Sequence, residues 1–355
     1  MIKVLIVDDS ASVRTLFAEM FKREDDFEVV GCAEDGYSAL RMVRDLKPDV
    51  VSMDVNLPDC DGFSITRMIM EENPVPIVVV SAVYSATDAE IGFRLIDTGA
   101  LTFHKKPALN SGYFEEQMQE IITSVRLMSE VRVVRRKRRF RNAADQNRPQ
   151  PLEGNFLPAP SSGKDKVVCI GASTGGPQAI KQILMSIPHE FTAPILVVQH
   201  MSEGFTEGMV NWLKRYTGHD VRRAAHGDLL ESGTIYFAPE GSHMEVSAER
   251  KIVLTDSASV NESRPSVSVL FNSAAQNLGR SAVGVLLTGM GRDGADGLLA
   301  IRRKGGYTIA QDEETSIVFG MPGEAVKIGA AISILPIEKI GDYLNRIFLG
   351  LPEET

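Results

Sequence analysis

A chain of 355 residues with 43% hydrophobic and 24% charged residues has the composition of a soluble globular protein and the length for two ordinary domains, each with its own core. Its formal net charge of -9 argues against nucleic acid as partner of the whole molecule, because binding a phosphate backbone needs a clustered positive field. No apolar run reaches the length of a membrane span, residues 1–9 lack the features of an export signal, and Cys32, Cys60 and Cys169 have neither metal nor disulfide spacing, so a cytoplasmic protein that is not membrane-inserted is expected.

In chain order, residues 2–7, 27–32, 50–53, 77–80 and 101–103 are short apolar or β-branched runs, and stretches such as 12–23 and 36–46 between them have helical periodicity. Five strand–helix repeats predict an α/β domain with a five-stranded parallel sheet covered on both faces. In such sheets the chemistry lies beyond the carboxyl ends of the strands. Asp8 and Asp9 follow the first strand, Asp54 the third, Ser81 ends the fourth and Lys106 follows the fifth. Acidic residues at strand ends are often no more than helix caps. Three carboxylates converging on one edge, however, repel unless a cation neutralises them, and hard oxygen ligands suit magnesium. Asp54 is then a candidate nucleophile for a phosphoryl group, with Ser81 and Lys106 placed to bind its oxygens.

Residues 1–124 resemble a response-regulator receiver domain, on Val7-Asp8-Asp9-Ser10, Met53-Asp54-Val55-Asn56-Leu57-Pro58, Asp61-Gly62, Ser81-Ala82, and Phe103 ahead of Lys106-Pro107. The resemblance implies that a chemotaxis histidine kinase phosphorylates Asp54, that Asp8, Asp9, Asp54 and the Asn56 carbonyl hold Mg2+, and that Ser81 and Phe103 rearrange when the phosphoryl group arrives.

Residues 125–165 read as a linker. Arg132, the run Arg135 to Arg139 and Arg141 form a basic stretch, followed by residues 142–165, which are rich in Pro and polar residues and poor in apolar ones. Such a charge block is a solvated tether or an anionic docking patch.

The second half, residues 166–348, opens with an apolar run at 166–170, the glycine-bracketed turn Gly171-Ala172-Ser173-Thr174-Gly175 and a helical stretch at 178–185. Strand, turn and helix are the context in which a serine nucleophile is presented, although glycines before a helix can equally cradle a phosphate. A serine needs a base and the base an orienting acid. His200 ends the apolar strand 195–199 and emerges on the same edge as Ser173; His243 is its rival, and His104, His189, His219 and His226 read as surface residues. Asp293 follows the apolar strand 282–287 in a glycine-rich turn.

The order Ser, His, Asp differs from that of the α/β-hydrolases and the common serine proteases. It is similar to the catalytic domain of the chemotaxis protein-glutamate methylesterases, on Ile170-Gly171-Ala172-Ser173-Thr174-Gly175-Gly176, Gln199-His200-Met201, Tyr236-Phe237-Ala238-Pro239, Leu287-Thr288-Gly289-Met290-Gly291, Ala310-Gln311-Asp312-Glu313 and Phe319-Gly320-Met321-Pro322. That resemblance implies a doubly wound, mostly parallel α/β domain. It makes Ser173 the nucleophile, His200 the base and Asp293 its partner, with Thr174 and Met290 close to the reacting centre and no cofactor. The implied substrate is a γ-glutamyl methyl ester on methylated chemoreceptors, with deamidation of glutamines a second reaction. A hydrolase of another ester, or a response regulator whose second half only binds a partner, are the alternatives. Where the family usually reads His-Arg-Pro-Ser-Val-Asp this chain has Ser263-Arg264-Pro265-Ser266-Val267-Ser268, and Arg292 replaces a small polar residue. These departures are expected to bear on substrate choice without touching Ser173, His200 or Asp293.

Overall fold

The computed structural model describes residues 1–58, 62–82, 86–107, 112–131, 133, 165–201 and 203–349. The first part runs β1 (Ile2–Val7), α1 (Ala11–Lys22), β2 (Phe27–Ala33), α2 (Gly36–Leu46), β3 (Val50–Met53), α3 (Gly62–Glu72), β4 (Ile77–Ser81), α4 (Ala86–Thr98), β5 (Thr102–Lys105) and α5 (Phe114–Ser129). All five strands pair in parallel in the order β2-β1-β3-β4-β5. A parallel sheet needs helical crossovers on both faces, which is why β3 and β4 are buried at every position. Leu5, Val7, Met53 and Ile69 fill one face of the sheet, and Val4, Ile6, Phe21 and Met118 fill the other. Helix α5 runs on past residue 124, and the basic stretch from Arg135 onward lies outside the described residues.

The second part runs β6 (Val167–Ala172), α6 (Gly176–Ser186), β7 (Ile195–Gln199), α7 (Thr206–Thr217), β8 (Asp220–Arg223), β9 (Thr234–Phe237), β10 (His243–Val246), β11 (Ile252–Thr255), α8 (Val267–Asn277), β12 (Ala282–Leu286), α9 (Ala295–Arg303), β13 (Tyr307–Gln311), α10 (Met321–Lys327), β14 (Ser333–Leu335) and α11 (Ile337–Leu349). Seven strands form one parallel sheet in the order β14-β13-β12-β6-β7-β9-β8, and β10 and β11 form a separate antiparallel pair. The expected α/β architecture is present in both parts. Among the described residues no helix is long and apolar enough to cross a membrane.

In each sheet the chain starts centrally, winds to one side and then to the other. The connections therefore diverge between β1 and β3 and between β6 and β12, leaving a crevice beyond their carboxyl ends where ligands bind in folds of this kind.

The two parts are packed together through α4. Phe93 stacks on Trp212 of α7 with centroids 5.6 Å apart and belongs to the core of the second part. Asp97 accepts a hydrogen bond from the Trp212 indole at 3.2 Å and one from Lys181 of α6 at 2.5 Å. The Lys181 ammonium lies 4.2 Å from the Tyr216 ring centroid and 5.1 Å from that of Trp212, so the ion pair is walled by aromatic faces. Phe103 of β5 lies across Gly92 and meets Phe205 edge-on at 4.8 Å.

Candidate active site

At the crevice of the first sheet, Asp8 and Asp54 are each 4% exposed and Asp9 is exposed. Asp54 Oδ1 accepts hydrogen bonds from Ser81 Oγ and the Val55 N–H, both at 2.7 Å, and a longer one from the Asn56 N–H at 3.4 Å. Lys106 Nζ lies 2.6 Å from Oδ2 of both Asp54 and Asp8. Burial pushes the Asp8 carboxyl above the ordinary carboxylate range even against the hydrogen bond and charge of Lys106. Burial alone would depress Lys106, but its hydrogen bonds to Asp54 and Asp8 carry it above its ordinary value. Oxygens of Asp8, Asp9 and Asp54 come within 4.8 Å of one another, a donor set that fits a hard divalent cation.

At the crevice of the second sheet the backbone holds Ser173 and His200 side by side. The Ser173 N–H donates to Thr288 O beyond β12 at 3.0 Å, and the His200 N–H donates to Ala172 O of β6 at 2.9 Å. Gln199 ties the two loops together: its carboxamide donates to Ser173 O and to His200 O, each at 2.8 Å. Gly175 takes φ 80°, turning the chain into α6, and the Gly176 N–H bonds back to Ser173 O at 2.8 Å. A side chain at Gly176 would displace Gln199, because a Cβ there would fall 1.9 Å from Gln199 Oε1. Thr288 Oγ1 donates to Thr174 O at 2.9 Å and accepts the Val318 N–H, also at 2.9 Å, pinning the serine turn from a third side. Thr174 is half-buried and Met290 is 47% exposed. The N–H groups of Thr174 and Met290 have no acceptor among the described residues.

Asp293 is 3% exposed and 2.9 Å from His200 Nε2. It lies against the start of α8, whose N-cap Ser266 does not cap its own helix. The carboxylate caps it instead, accepting the N–H groups of Val267 and Ser268 at 2.7 and 3.1 Å and the Ser266 hydroxyl at 2.8 Å. Asn261 Nδ2 and the Gly294 N–H complete the shell, each at 3.0 Å. Burial alone would raise this carboxyl, but the hydrogen bonds from His200, Asn261 and Ser268 outweigh it and hold the group well below the usual range. An ionised carboxylate only accepts, so His200 Nε2 carries its proton and Nδ1 is left as the basic atom. No hydrogen bond joins Ser173 Oγ to His200 among the described residues, a common state of such pairs before substrate binds.

His243 is fully buried, accepts the Ser266 N–H on Nδ1 and donates from Nε2 to Ala258 O, both at 3.1 Å. Both nitrogens are engaged and it supports the turn that holds Asp293, so it is no rival to His200. Three expectations need correction. His104 on β5 is not a surface residue; it is half-buried, its Nε2 is enclosed with no hydrogen-bond partner among the described residues, and burial pushes its pKa down to about 4. His219 is not a surface residue; it is 7% exposed and bonded to Leu184 O. Position 268 does touch the site, since the Ser268 N–H bonds Asp293 and its hydroxyl accepts the Gly294 N–H at 2.8 Å. The start of α8 is the bed of the carboxylate, which its distance from Asp293 in the chain concealed. Arg292 points to solvent and pairs with Asp296 at 3.1 Å, while Ser263 closes a turn with Val260. Gln199 and Asn261 were not anticipated as site residues; only Gln199 carried a signal, standing at a strand end beside His200.

Two parallel sheets in series, each with its polar residues at the switch point, define a response regulator coupled to an α/β enzyme. Residues 4–113 match the response regulator receiver domain family and residues 168–344 match the CheB methylesterase family. Over 347 residues the chain is 46% identical to protein-glutamate methylesterase/protein-glutamine glutaminase 1 of Syntrophus aciditrophicus, with 98% of each covered. It is 41% identical over 349 residues to protein-glutamate methylesterase/protein-glutamine glutaminase 2 of Methanospirillum hungatei, again with 98% of each covered. Among solved structures, the CheB methylesterase catalytic domain of Thermotoga maritima is 38% identical with a TM-score of 0.49, covering 50% of this chain and 96% of that one. The chain belongs to the CheB methylesterase family.

Two outcomes are expected at this site. Gly176→Ala drives a methyl group into the Gln199 carboxamide and is expected to cost roughly 1–3 kcal/mol in a urea unfolding series. Asp293 has a depressed pKa in the folded chain, so its contribution to stability is complete above its ordinary value of 3.8 and is lost as pH falls through the folded value. The stability gap between wild type and Asp293→Asn should therefore be constant from about pH 7 to 5 and narrow below about pH 4.

Proposed function

We propose that the protein hydrolyses γ-glutamyl methyl esters, and deamidates glutamines, on methylated chemoreceptors in the cytoplasm, and that phosphorylation of Asp54 by a chemotaxis histidine kinase switches it on. The observation that carries this reading is the His200–Asp293 hydrogen bond on the sheet edge that also presents Ser173. His200 Nδ1 takes the proton of Ser173 Oγ as the oxygen attacks the ester carbonyl. The oxyanion faces the N–H groups of Thr174 and Met290 at the positive end of α6. Methanol leaves with the proton held by His200, giving a seryl ester. Water, deprotonated by His200, then attacks that ester, releasing the receptor glutamate and restoring the Ser173 hydroxyl. With a glutamine side chain the leaving group is ammonia. Asp293 keeps its charge throughout and holds the imidazole in the required tautomer.

In the receiver, Asp8, Asp9, Asp54 and the Asn56 carbonyl are the proposed magnesium ligands, and the ion supplies positive charge for a phosphoryl group amid three carboxylates. Asp54 is the acceptor, Lys106 neutralises a phosphoryl oxygen, and Ser81 exchanges its bond to Asp54 Oδ1 for one to the phosphoryl group. Phe103 links this event to the enzyme. Its ring leans on Phe205, the N-cap residue of α7, five residues after His200. Ile317 and Val318 support the same coupling: they lie beside the Ser173 turn and pack against the receiver's hydrophobic cluster. The unphosphorylated receiver thus restrains the catalytic edge.

Methanol release from membranes bearing methyl-esterified receptors tests the assignment. Wild type with magnesium and a small phosphodonor should release methanol faster than without donor, and Ser173→Ala should lose several orders of magnitude in rate. Undiminished release by Ser173→Ala would sink the nucleophile assignment. Removing residues 1–150 should raise the basal rate. Asp97→Ala, which deletes a charge-assisted bond of about 1.5 kcal/mol from the docked state, should raise it by roughly tenfold, and unchanged rates in both would refute restraint by the receiver.

A further inference from the structure

The loop between β11 and α8 holds two adjacent non-glycine residues in the left-handed region, Asn261 at φ 50° and Glu262 at φ 63°. They are the central residues of a tight turn closed by reciprocal backbone hydrogen bonds between Val260 and Ser263, both 3.1 Å. Positive φ at both central positions is the type I′ geometry, which glycine favours in the second place and glutamate does not. Strain of this kind persists where the surroundings over-determine it and clusters at functional sites.

Here the over-determining contact is made by the side chain. Although Asn261 is an exposed residue, its Nδ2 donates to Oδ1 of the buried Asp293 at 3.0 Å and to Ser268 Oγ at 3.2 Å. The remaining donors to Oδ1 are Ser266 Oγ, the Ser268 N–H and the Gly294 N–H, which come from the start of α8 and from the turn that carries Asp293. Only Asn261 reaches the carboxylate from the exposed loop.

We infer that Asn261 is a positioning residue: its carboxamide closes the solvent side of Asp293 and fixes Oδ1, so that Oδ2 stays aligned with His200 Nε2. The inference rests on the reading of Ser173, His200 and Asp293 as the reacting set. The left-handed turn has a physical role in it, because an extended or right-handed residue at 261 would aim the amide elsewhere. Without the amide, water takes its place at the carboxylate. Water holds no fixed direction, so the carboxylate, still held by Ser266, Ser268, Gly294 and Val267, loses the donor that fixes it on the loop side and its alignment with the imidazole loosens. Ser268 Oγ accepts from the same amide, so the turn is pinned both to the start of α8 and to the turn that carries Asp293.

Two substitutions separate positioning from mere loop structure. Asn261→Gly removes the amide while keeping the left-handed conformation, which glycine adopts without strain. Asn261→Asp is nearly isosteric but sets an acceptor with like charge against Asp293. Both are measured as the full chain, with phosphodonor and magnesium, by initial rates of methanol release over a range of methyl-esterified receptor membranes, alongside thermal unfolding. The expected result is a kcat at least tenfold lower in Asn261→Gly and lower again in Asn261→Asp, with KM within twofold of wild type and both variants folded. Wild-type kcat in both variants overturns the inference, as does a loss confined to KM, which would make Asn261 a substrate contact. Should Asn261→Gly fail to fold, Asn261→Asp decides the matter by the same kcat criterion. Failure of the underlying reading looks different: Ser173→Ala would then remain active in the same assay.

Discussion

A carboxylate with almost no access to water is the constraint around which the catalytic half is arranged. Leaving such a charge uncompensated would be far more costly than any single contact is worth, so every lone pair of Asp293 must be met. The chain meets it from distant places: the first turn of α8, the hydroxyl of Ser266, the carboxamide of Asn261 and the ring of His200. His243, fully buried, secures the Ser266 backbone in turn. Stability and chemistry coincide here. The donors that make the buried charge tolerable are those that keep it ionised and facing the imidazole.

The same topological rule is used twice in one polypeptide. Each sheet leaves a crevice where its connections part, and each crevice collects the polar side chains that the apolar strands cannot hold. What differs is the filling. The receiver crevice gathers carboxylates around a single lysine, an arrangement suited to accepting phosphate. The second crevice spreads serine, imidazole and carboxylate over three strand ends and joins two of the loops through Gln199.

Much of this was legible in the sequence because parallel strands announce themselves as short apolar runs and deliver the next residue to a known edge. Asp8, Asp54, Ser81, Ser173 and His200 are all found that way. Asn261, Ser266 and Ser268 were not, since their importance lies in hydrogen bonds to Asp293 that span 25 to 32 residues and depend on where α8 happens to begin. The same limit hid the docking of α4 on α7. Phe93, Asp97 and Trp212 fit ordinary amphipathic helices, and only the folded chain shows the apolar stripe of one helix buried against the other domain. The antiparallel β10–β11 pair was not anticipated; it stands outside the seven-stranded parallel sheet.

The chain contains one tryptophan, and it stands at this junction. Trp212 is fully buried, stacked on Phe93 and hydrogen-bonded to Asp97 of the receiver, with the Lys181 ammonium over its face. An indole flanked by a carboxylate, an ammonium and an aromatic ring has an emission sensitive to the loss of any of them. The molecule therefore carries its own optical reporter of domain separation, with no second tryptophan to obscure the signal.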